Sequence, residues 1–244
     1  MSGGPAVVLE NVSKSFGEKP ILQDVSFHVR TGEALCILGR SGTGKSVTLK
    51  LIISLLKPEQ GQIWIEGEDV TTLHASDLSR VRRKMGFLFQ GAALFDSLTL
   101  YENLALPLFR LTSKSPAEVD AIIDRVLRDV GLRDDKQKMP SELSGGMRKR
   151  AGLARALVLE PRILLVDEPS SGLDRITASE IDELLLREKV ERRTTLIVVT
   201  HDVRGARRLA DRIAVLDRGR LIADGTVEEV QNSQNETARS LISE

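Results

Sequence analysis

Short apolar runs alternate along the chain with amphipathic helical patterns. The strand-sized apolar runs lie at residues 34–38, 87–89, 163–166, 196–200 and 213–216, and residues 62–66, where Ile63 and Ile65 alternate with polar neighbours, predict a half-buried strand. The first of them leads into a glycine-rich turn and then into a helical pattern over 47–56, which Lys57 and Pro58 end. Apolar strands that alternate with helices predict a mostly parallel sheet covered by helices, an α/β fold.

The middle of the chain has a different pattern. Helical periodicity without a convincing strand extends from residue 91 to about 159. One helix face is formed by apolar residues at i, i+3, i+4, i+7, i+8 and i+11, namely Val119, Ile122, Ile123, Val126, Leu127 and Val130. Ser115 and Glu118 predict a capping box at the start of this helix, and Gly131 predicts its end. The polar tail after Gln231 predicts fraying.

A glycine-rich loop follows the first apolar run. It fits the pattern G-x-x-x-x-G-K-S, with the residues Gly39, Arg40, Ser41, Gly42, Thr43, Gly44, Lys45 and Ser46. The glycines allow backbone N–H groups to point at a phosphate chain, to which the next helix presents its positive N-terminus. Lys45 is predicted to reach the β- and γ-phosphates, and the Ser46 hydroxyl to bind Mg²⁺.

A pair of carboxylates follows the apolar run 163–166. Strands of open α/β sheets carry ligand-binding groups at their C-terminal ends, where Asp167 and Glu168 stand. Asp167 is predicted to hold Mg²⁺ through its water shell. Glu168 is predicted to accept a proton from the water that attacks the γ-phosphorus.

Composition restricts the class of protein. The 244 residues contain 35 Lys and Arg and 35 Asp and Glu, so the net charge is zero, which disfavours a nucleic-acid partner. The single Cys36 excludes an internal disulfide and fits a reducing compartment. No apolar stretch approaches the ~20 residues of a membrane span, and no signal peptide is evident. We expect a soluble, cytoplasmic chain.

A third motif narrows the kind of nucleotide-binding protein. Ser144, Gly145 and Gly146 begin a predicted helix 23 residues before Asp167, which makes a second anion-binding helix start. Alone, this triplet is equally well explained as a flexible turn. In order with the other motifs, it resembles the signature of ATP-binding cassette (ABC) ATPases.

The resemblance covers nearly the whole chain. Gln90 resembles the loop glutamine that senses Mg²⁺ and the attacking water, and His201 resembles the switch histidine near the γ-phosphate. Asp174 resembles the acid of a loop that contacts the opposite monomer, and Phe16 stands where the family usually stacks a tyrosine on adenine. Arg40 and Val47 replace commoner residues around the phosphate loop, and Met147 replaces the glutamine that closes the signature.

The resemblance implies a fold and an activity. It implies a P-loop ABC-ATPase fold in a single domain, 1–244. Its core, 1–90 and 160–244, has an antiparallel N-terminal β portion, and a helical subdomain, 91–159, is inserted. It implies hydrolysis of ATP with Mg²⁺ by a head-to-tail homodimer in which the signature comes from the opposite monomer. Because no membrane span is evident, transport requires a separate permease, for which residues 92–100 are the predicted docking patch.

Residues 89–95 and 139–150 resemble the ATPases of MCE-type lipid transporters, and Met147 is part of that likeness. This implies phospholipid or other hydrophobic cargo, an MCE-domain partner, and a place on the inner face of the cell membrane. Two alternatives stay open. One is an ATPase for import or export of a small polar solute. The other is an ABC-type ATPase acting on DNA or the ribosome, which the zero net charge disfavours.

Overall fold

The computed structural model describes residues 4–243. Ten strands are found there: β1 (Pro5–Phe16), β2 (Lys19–Arg30), β3 (Ala34–Leu38), β4 (Gln60–Ile65), β5 (Glu68–Asp69), β6 (Met85–Leu88), β7 (Ile163–Asp167), β8 (Thr195–Thr200), β9 (Arg212–Asp217) and β10 (Arg220–Gly225). The α-helices of the same residues are α1 (Lys45–Ile52), α2 (Ala75–Arg82), α3 (Leu100–Leu111), α4 (Pro116–Asp129), α5 (Gly145–Leu157), α6 (Arg175–Arg192), α7 (Val203–Leu209), α8 (Val227–Gln231) and α9 (Glu236–Ser243).

The strands form two sheets. An antiparallel sheet has the order β2-β1-β4-β5, and a six-stranded sheet has the order β10-β9-β3-β8-β7-β6. In the larger sheet β6, β7, β8, β3 and β9 are parallel, and β10 is antiparallel to β9. Every residue of β3, β7 and β8 is buried, as expected for parallel strands covered on both faces. The predicted fold class, with its antiparallel N-terminal portion, is therefore confirmed.

Each face of the six-stranded sheet has its own hydrophobic core. Along β3, Leu35 and Ile37 pack with residues of the antiparallel sheet, whereas Cys36 and Leu38 pack with the helices of the opposite face. This alternation follows from the two-residue period of a strand. Burial raises the pKa of the Cys36 thiol to about 12, which keeps the sulfur protonated and unreactive.

The helices between β6 and β7 pack on the second of these faces. α3, α4 and α5 lie there with two short 3-10 turns, Arg133–Asp135 and Pro140–Glu142, and residues 91–159 contain no strand. The capping box of Ser115 and Glu118 is present at the start of α4. The division of the chain into two lobes at these boundaries stays a prediction.

Two local predictions were wrong. The helix expected over 47–56 begins at Lys45 and ends at Ile52, because Ser54 turns the chain with a φ of 59° before Pro58 is reached. The tail expected to fray forms α9, in which Ala238 and Ile242 are fully buried against the core. Because residues four positions apart lie on the same face of a helix, these two apolar residues pack one face of α9 against the hydrophobic core. No helix among residues 4–243 is long and apolar enough to cross a membrane.

Candidate active site

The glycine-rich loop lies between β3 and α1, at the C-terminal edge of the parallel strands. Gly42 and Gly44 have φ values of 81° and 107°, which side chains with a Cβ adopt only with strain. A Cβ on Gly39 would collide with the carbonyl oxygen of Leu216. Gly44 is the N-cap of α1, and no side chain caps this helix start. The backbone amides that begin α1 are therefore available to an anion.

The Lys45 side chain is buried and crosses the loop. Its Nζ donates to the carbonyl oxygens of Gly39, at 2.7 Å, and of Arg40, at 3.2 Å. The same Nζ lies 3.5 Å from Glu168 Oε1. The Lys45 ammonium is thus buried between two carbonyl oxygens of the loop and the Glu168 carboxylate. An ammonium group held in such a loop can bind a phosphate chain.

Ser46 and Asp167 place two oxygen ligands side by side. The Ser46 hydroxyl donates to Asp167 Oδ1 at 2.8 Å, across the gap between α1 and the end of β7. Burial is the main cause that raises the pKa of Asp167, and the hydrogen bond from Ser46 opposes it. A hydroxyl and a carboxylate are hard oxygen donors, which Mg²⁺ prefers, and Mg²⁺ commonly takes its other ligands from phosphates and water. The residues present therefore fit a magnesium ion.

Glu168 is held at every polar atom. Its backbone has a φ of 48°, its N–H donates to the carbonyl of Val199 at 2.9 Å, and its own carbonyl accepts from Lys149 Nζ at 2.9 Å. The carboxylate is about one-tenth exposed; Oε2 lies 2.7 Å from His201 Nδ1, and Oε1 faces Lys45. Residues with strained backbone conformations cluster at active sites.

One cavity of about 570 Å³ joins most of these groups, although Gly39 and Asp167 do not line it. Its lining brings together residues of the loop, the acid, the glutamine and the histidine that were predicted from the sequence, namely Arg40, Ser41, Gly42, Gly44, Lys45, Ser46, Val47, Gln90, Glu168 and His201. Two residues of β2, Lys19 and Ile21, complete the lining. Lys19 and Ile21 belong to no motif, so the sequence contained no signal for them. Thr43 is not in this lining; its hydroxyl donates to the Arg40 carbonyl and shapes the loop.

Phe16 is not brought into that lining. It ends β1, is half exposed, and lies with its ring 5.6 Å from Lys14 Nζ. Its predicted contact with adenine stays a prediction.

The second predicted anion site lies on a separate surface. Ser144 caps α5, and its Oγ accepts from the N–H of Met147 at 3.2 Å. Gly145 and Gly146 begin the helix beside α6, where a Cβ on Gly146 would collide with Thr177 Cγ2. None of these residues lines the 570 Å³ cavity. Met147 replaces the expected glutamine with a side chain that packs against the hydrophobic core.

Asp174 adjoins this second surface as the N-cap of α6. Its Oδ1 accepts from the N–H groups of Ile176 and Thr177, and its Oδ2 accepts from the Thr177 hydroxyl. The Thr177 hydrogen bonds are the largest cause that lowers the pKa of Asp174. Asp174 and Gly146 thus meet at Thr177, so the two sequence motifs of the second surface lie next to each other.

The predicted docking patch is only partly exposed. Ala92 and Leu100, at its two ends, are buried, which corrects the expectation for these positions. Ala92 is buried because it packs against Gly152 of α5, and Leu100 because it begins α3 with its side chain in the core. The exposed centre includes Phe95, whose ring lies 4.8 Å from the Arg155 guanidinium.

Known proteins match the chain over most of its length. The family described as ABC transporter matches residues 22–171. A probable ribonucleotide transport ATP-binding protein, mkl, of Mycobacterium leprae is 43% identical over 242 residues, which are 99% of this chain and 70% of that protein. The methionine import ATP-binding protein MetN 1 of Bacillus cereus is 40% identical over 241 residues, which are 97% of this chain and 69% of that protein.

Solved structures agree with this result. The dimeric post-hydrolysis structure of the ATP-binding cassette MJ0796 with ADP and Pi has a TM-score of 0.84 and 35% identity, covering 90% of this chain and 98% of that one. The structure of cbiO1 from Clostridium perfringens has a TM-score of 0.83 and 26% identity, covering 97% and 98%. The resemblance predicted from the motifs is confirmed: the chain belongs to the ABC transporter family and is an ATP-binding subunit of that family.

Proposed function

We propose that the chain hydrolyses ATP, with Mg²⁺, in the 570 Å³ cavity and that this hydrolysis drives transport. The observation that carries the proposal is the Glu168 carboxylate, which is fixed between Lys45 Nζ at 3.5 Å and His201 Nδ1 at 2.7 Å. A nearly buried carboxylate beside a phosphate-binding lysine is placed to accept a proton from an attacking water. These two contacts keep the carboxylate in that place before substrate binds.

Other predicted site residues, in the cavity and beside it, also have roles in this proposal. Lys45 and the amides that begin α1 bind the phosphates, and Ser46 and Asp167 would hold Mg²⁺. Bound Mg²⁺ would neutralise charge on the β- and γ-phosphate oxygens. His201 and Gln90 position the water and the γ-phosphate, and Phe16 stacks on adenine. The protein contributes positioning and electrostatic stabilisation, as is general for phosphoryl transfer.

Substitution of Glu168 by Gln tests this assignment. The variant keeps the shape of the side chain and removes the base, so ATP binding persists and hydrolysis falls by about 100-fold or more. Glu160→Gln is the matched control, because Glu160 is an exposed partner of Arg125 outside the cavity. Phosphate release and nucleotide binding are both measured. Hydrolysis by Glu168→Gln at the parental rate would show that another group is the base.

The active unit that we propose is a head-to-tail homodimer. The cavity and the second surface, formed by Ser144, Gly145, Gly146 and Asp174, lie apart in one chain, so a second copy is needed to bring a signature to the nucleotide. A two-fold pair then makes two equivalent sites. The dimeric neighbour with ADP and Pi supports this arrangement. ATP-dependent dimerisation of the Glu168→Gln variant, measured by light scattering, is the expected result.

For cargo, we propose phospholipid or another hydrophobic molecule, moved through a separate membrane permease and an MCE-domain protein. The chain would then lie at the cytoplasmic face of the membrane, with the exposed centre of residues 92–100 against the permease. The support is the likeness of residues 89–95 and 139–150, including Met147, to ATPases of lipid transporters. Purification from native membranes in mild detergent is expected to recover both partners.

A small polar solute is the second candidate cargo. It is favoured by the functions for which two relatives are named, ribonucleotide transport for mkl and methionine import for MetN 1. Recovery of a solute-binding protein with a polar-solute permease, in place of an MCE-domain protein, would establish this alternative. The zero net charge continues to disfavour DNA and the ribosome as targets.

A further inference from the structure

Lys149 is a buried amine that the catalytic proposal does not use. It lies in α5, five residues after Ser144, and is only 7% exposed. Lysine is seldom buried to this extent without partners that compensate its charge. It is also absent from the lining of the 570 Å³ cavity, so it does not face the nucleotide. Its position therefore calls for a partner behind the active site.

That partner is the backbone of Glu168. Lys149 Nζ donates to the Glu168 carbonyl oxygen at 2.9 Å, in a buried hydrogen bond. On the other side of the same Cα, the Glu168 N–H donates to Val199 of β8. Two different elements, α5 and β8, thus fix the two peptide groups that define the left-handed conformation of Glu168, with its φ of 48°. This conformation is costly for a residue with a Cβ and persists only when its surroundings impose it.

The charges around Lys149 are consistent with this role. Burial lowers the pKa of Lys149, whereas the carboxylates of Asp167 and Glu168 oppose that effect. The ammonium therefore lies outside the cavity, behind the two acidic residues at the end of β7, and interacts electrostatically with both carboxylates. A hydrogen bond from a charged, buried donor is among the stronger ones in proteins.

We infer that Lys149 is a positioning residue for hydrolysis: by holding the Glu168 carbonyl, it keeps the Glu168 carboxylate between Lys45 and His201. The inference rests on the proposed function of Glu168. It also connects α5, whose first residues form the second surface, to the base of the same chain through one hydrogen bond. Without the amine, the φ of Glu168 can relax, and the carboxylate then spends less time at the attacking water.

Three substitutions separate the hydrogen bond from the charge. Lys149→Met removes the donor and keeps the length, Lys149→Gln offers an uncharged donor, and Lys149→Arg keeps a charged donor. For Lys149→Met we expect kcat to fall about tenfold while the KM for ATP stays within about twofold. Partial recovery of kcat by Lys149→Arg or Lys149→Gln is expected. Lys138→Met is the control, since Lys138 is an exposed lysine paired with Asp135 and its loss leaves kcat unchanged.

The split between kcat and KM distinguishes positioning from loss of structure. If Lys149→Met is poorly folded, Lys149→Gln, which can still donate to the carbonyl, supplies the same comparison at a smaller loss of kcat. Wild-type kcat in both variants would overturn the inference, as would a loss of nucleotide binding parallel to the loss of kcat. Hydrolysis of ATP by Glu168→Gln at the wild-type rate would instead overturn the proposed function of Glu168. The failure of the inference and the failure of the proposed function are therefore distinguishable.

Discussion

Two helices of this chain, α1 and α5, begin at glycine-containing motifs, and their N-termini differ in the side chains around them. α1 begins after Gly44, with no side-chain cap, and its surroundings supply a buried ammonium, a hydroxyl and two carboxylates. α5 begins after Ser144, whose hydroxyl already accepts from an amide of the first turn. The first start is therefore open to an anion and equipped for chemistry, whereas the second is capped and adjoins only the loop of Asp174.

This difference between the two helix starts indicates which parts of a nucleotide site one chain contains. Both starts present backbone amides at the positive end of a helix, which suffices for anion binding. The groups to which we assign metal binding and proton transfer lie at the start of α1. The start at α5 lies outside the cavity, so in the proposed dimer it completes the nucleotide site of the other chain.

The largest expected effect is on nucleotide binding. Lys45→Ala removes the buried ammonium, so we expect affinity for ATP to fall by about 100-fold, or ~3 kcal/mol. Gly145→Asp alters the start of α5, outside the cavity, and should leave nucleotide affinity of the monomer within about twofold. Fluorescent-nucleotide titration measures both. Equal losses in the two variants would remove the distinction between the helix starts.

A smaller effect is expected on stability at the second start. A Cβ on Gly146 would collide with Thr177 Cγ2, whereas one on Gly145 meets Leu173 Cδ2 at 3.9 Å, an ordinary contact. Gly146→Ala should therefore destabilise the protein by about 1–3 kcal/mol, and Gly145→Ala should not. Urea unfolding compares the pair. Equal stability of the two variants would mean that α5 and α6 are not packed as described.

Removal of the Ser46 hydroxyl tests the metal ligands at the first start. Ser46→Ala leaves Asp167 as the remaining protein oxygen of the pair, so the Mg²⁺ concentration for half-maximal hydrolysis should rise about tenfold. Activity is titrated with Mg²⁺ after chelation. Ser41→Ala, in the same loop, is the comparison, and an unchanged Mg²⁺ requirement in Ser46→Ala would exclude the hydroxyl as a ligand.

The smallest effect concerns the cap of α5. Ser144→Ala loses the acceptor of the Met147 amide, and the free energy of unfolding should fall by about 1 kcal/mol. Ser144→Asp restores an acceptor and is expected to recover that loss. Thermal unfolding of both variants is the measurement, and no change in Ser144→Ala would show that the cap does not stabilise the helix.

Much of the core follows from the sequence. The apolar runs identified β3, β7, β8 and β9 because strands buried on both faces must be continuously apolar. The glycine-rich loop and the acidic pair were recognisable because each directly follows an apolar strand, and the C-terminal ends of such strands carry ligand-binding groups. What remained invisible depends on contacts between distant segments. Lys19 and Ile21 line the cavity only because β2 lies beside the loop.

Two other misses have the same physical origin. α9 is polar in composition, and only the packing of Ala238 and Ile242 on the core orders it. Lys149 reads as one basic residue among several in α5, and its burial becomes evident only when α5 is placed against Glu168. Local pattern thus predicts elements well, whereas the partner of a single side chain depends on tertiary placement.

In the dimer that we propose, each ATP site is formed by the loop of one chain and the start of α5 in the other. The most direct measurement mixes Lys45→Ala with Gly145→Asp, each inactive alone because both of its sites are broken. About half of randomly paired dimers are mixed, and each of these combines both lesions in one site and leaves the other intact. We expect partial return of ATP hydrolysis or of nucleotide trapping in the mixture. No return in either assay, with mixed dimers confirmed by mass, would show that each chain completes its own site.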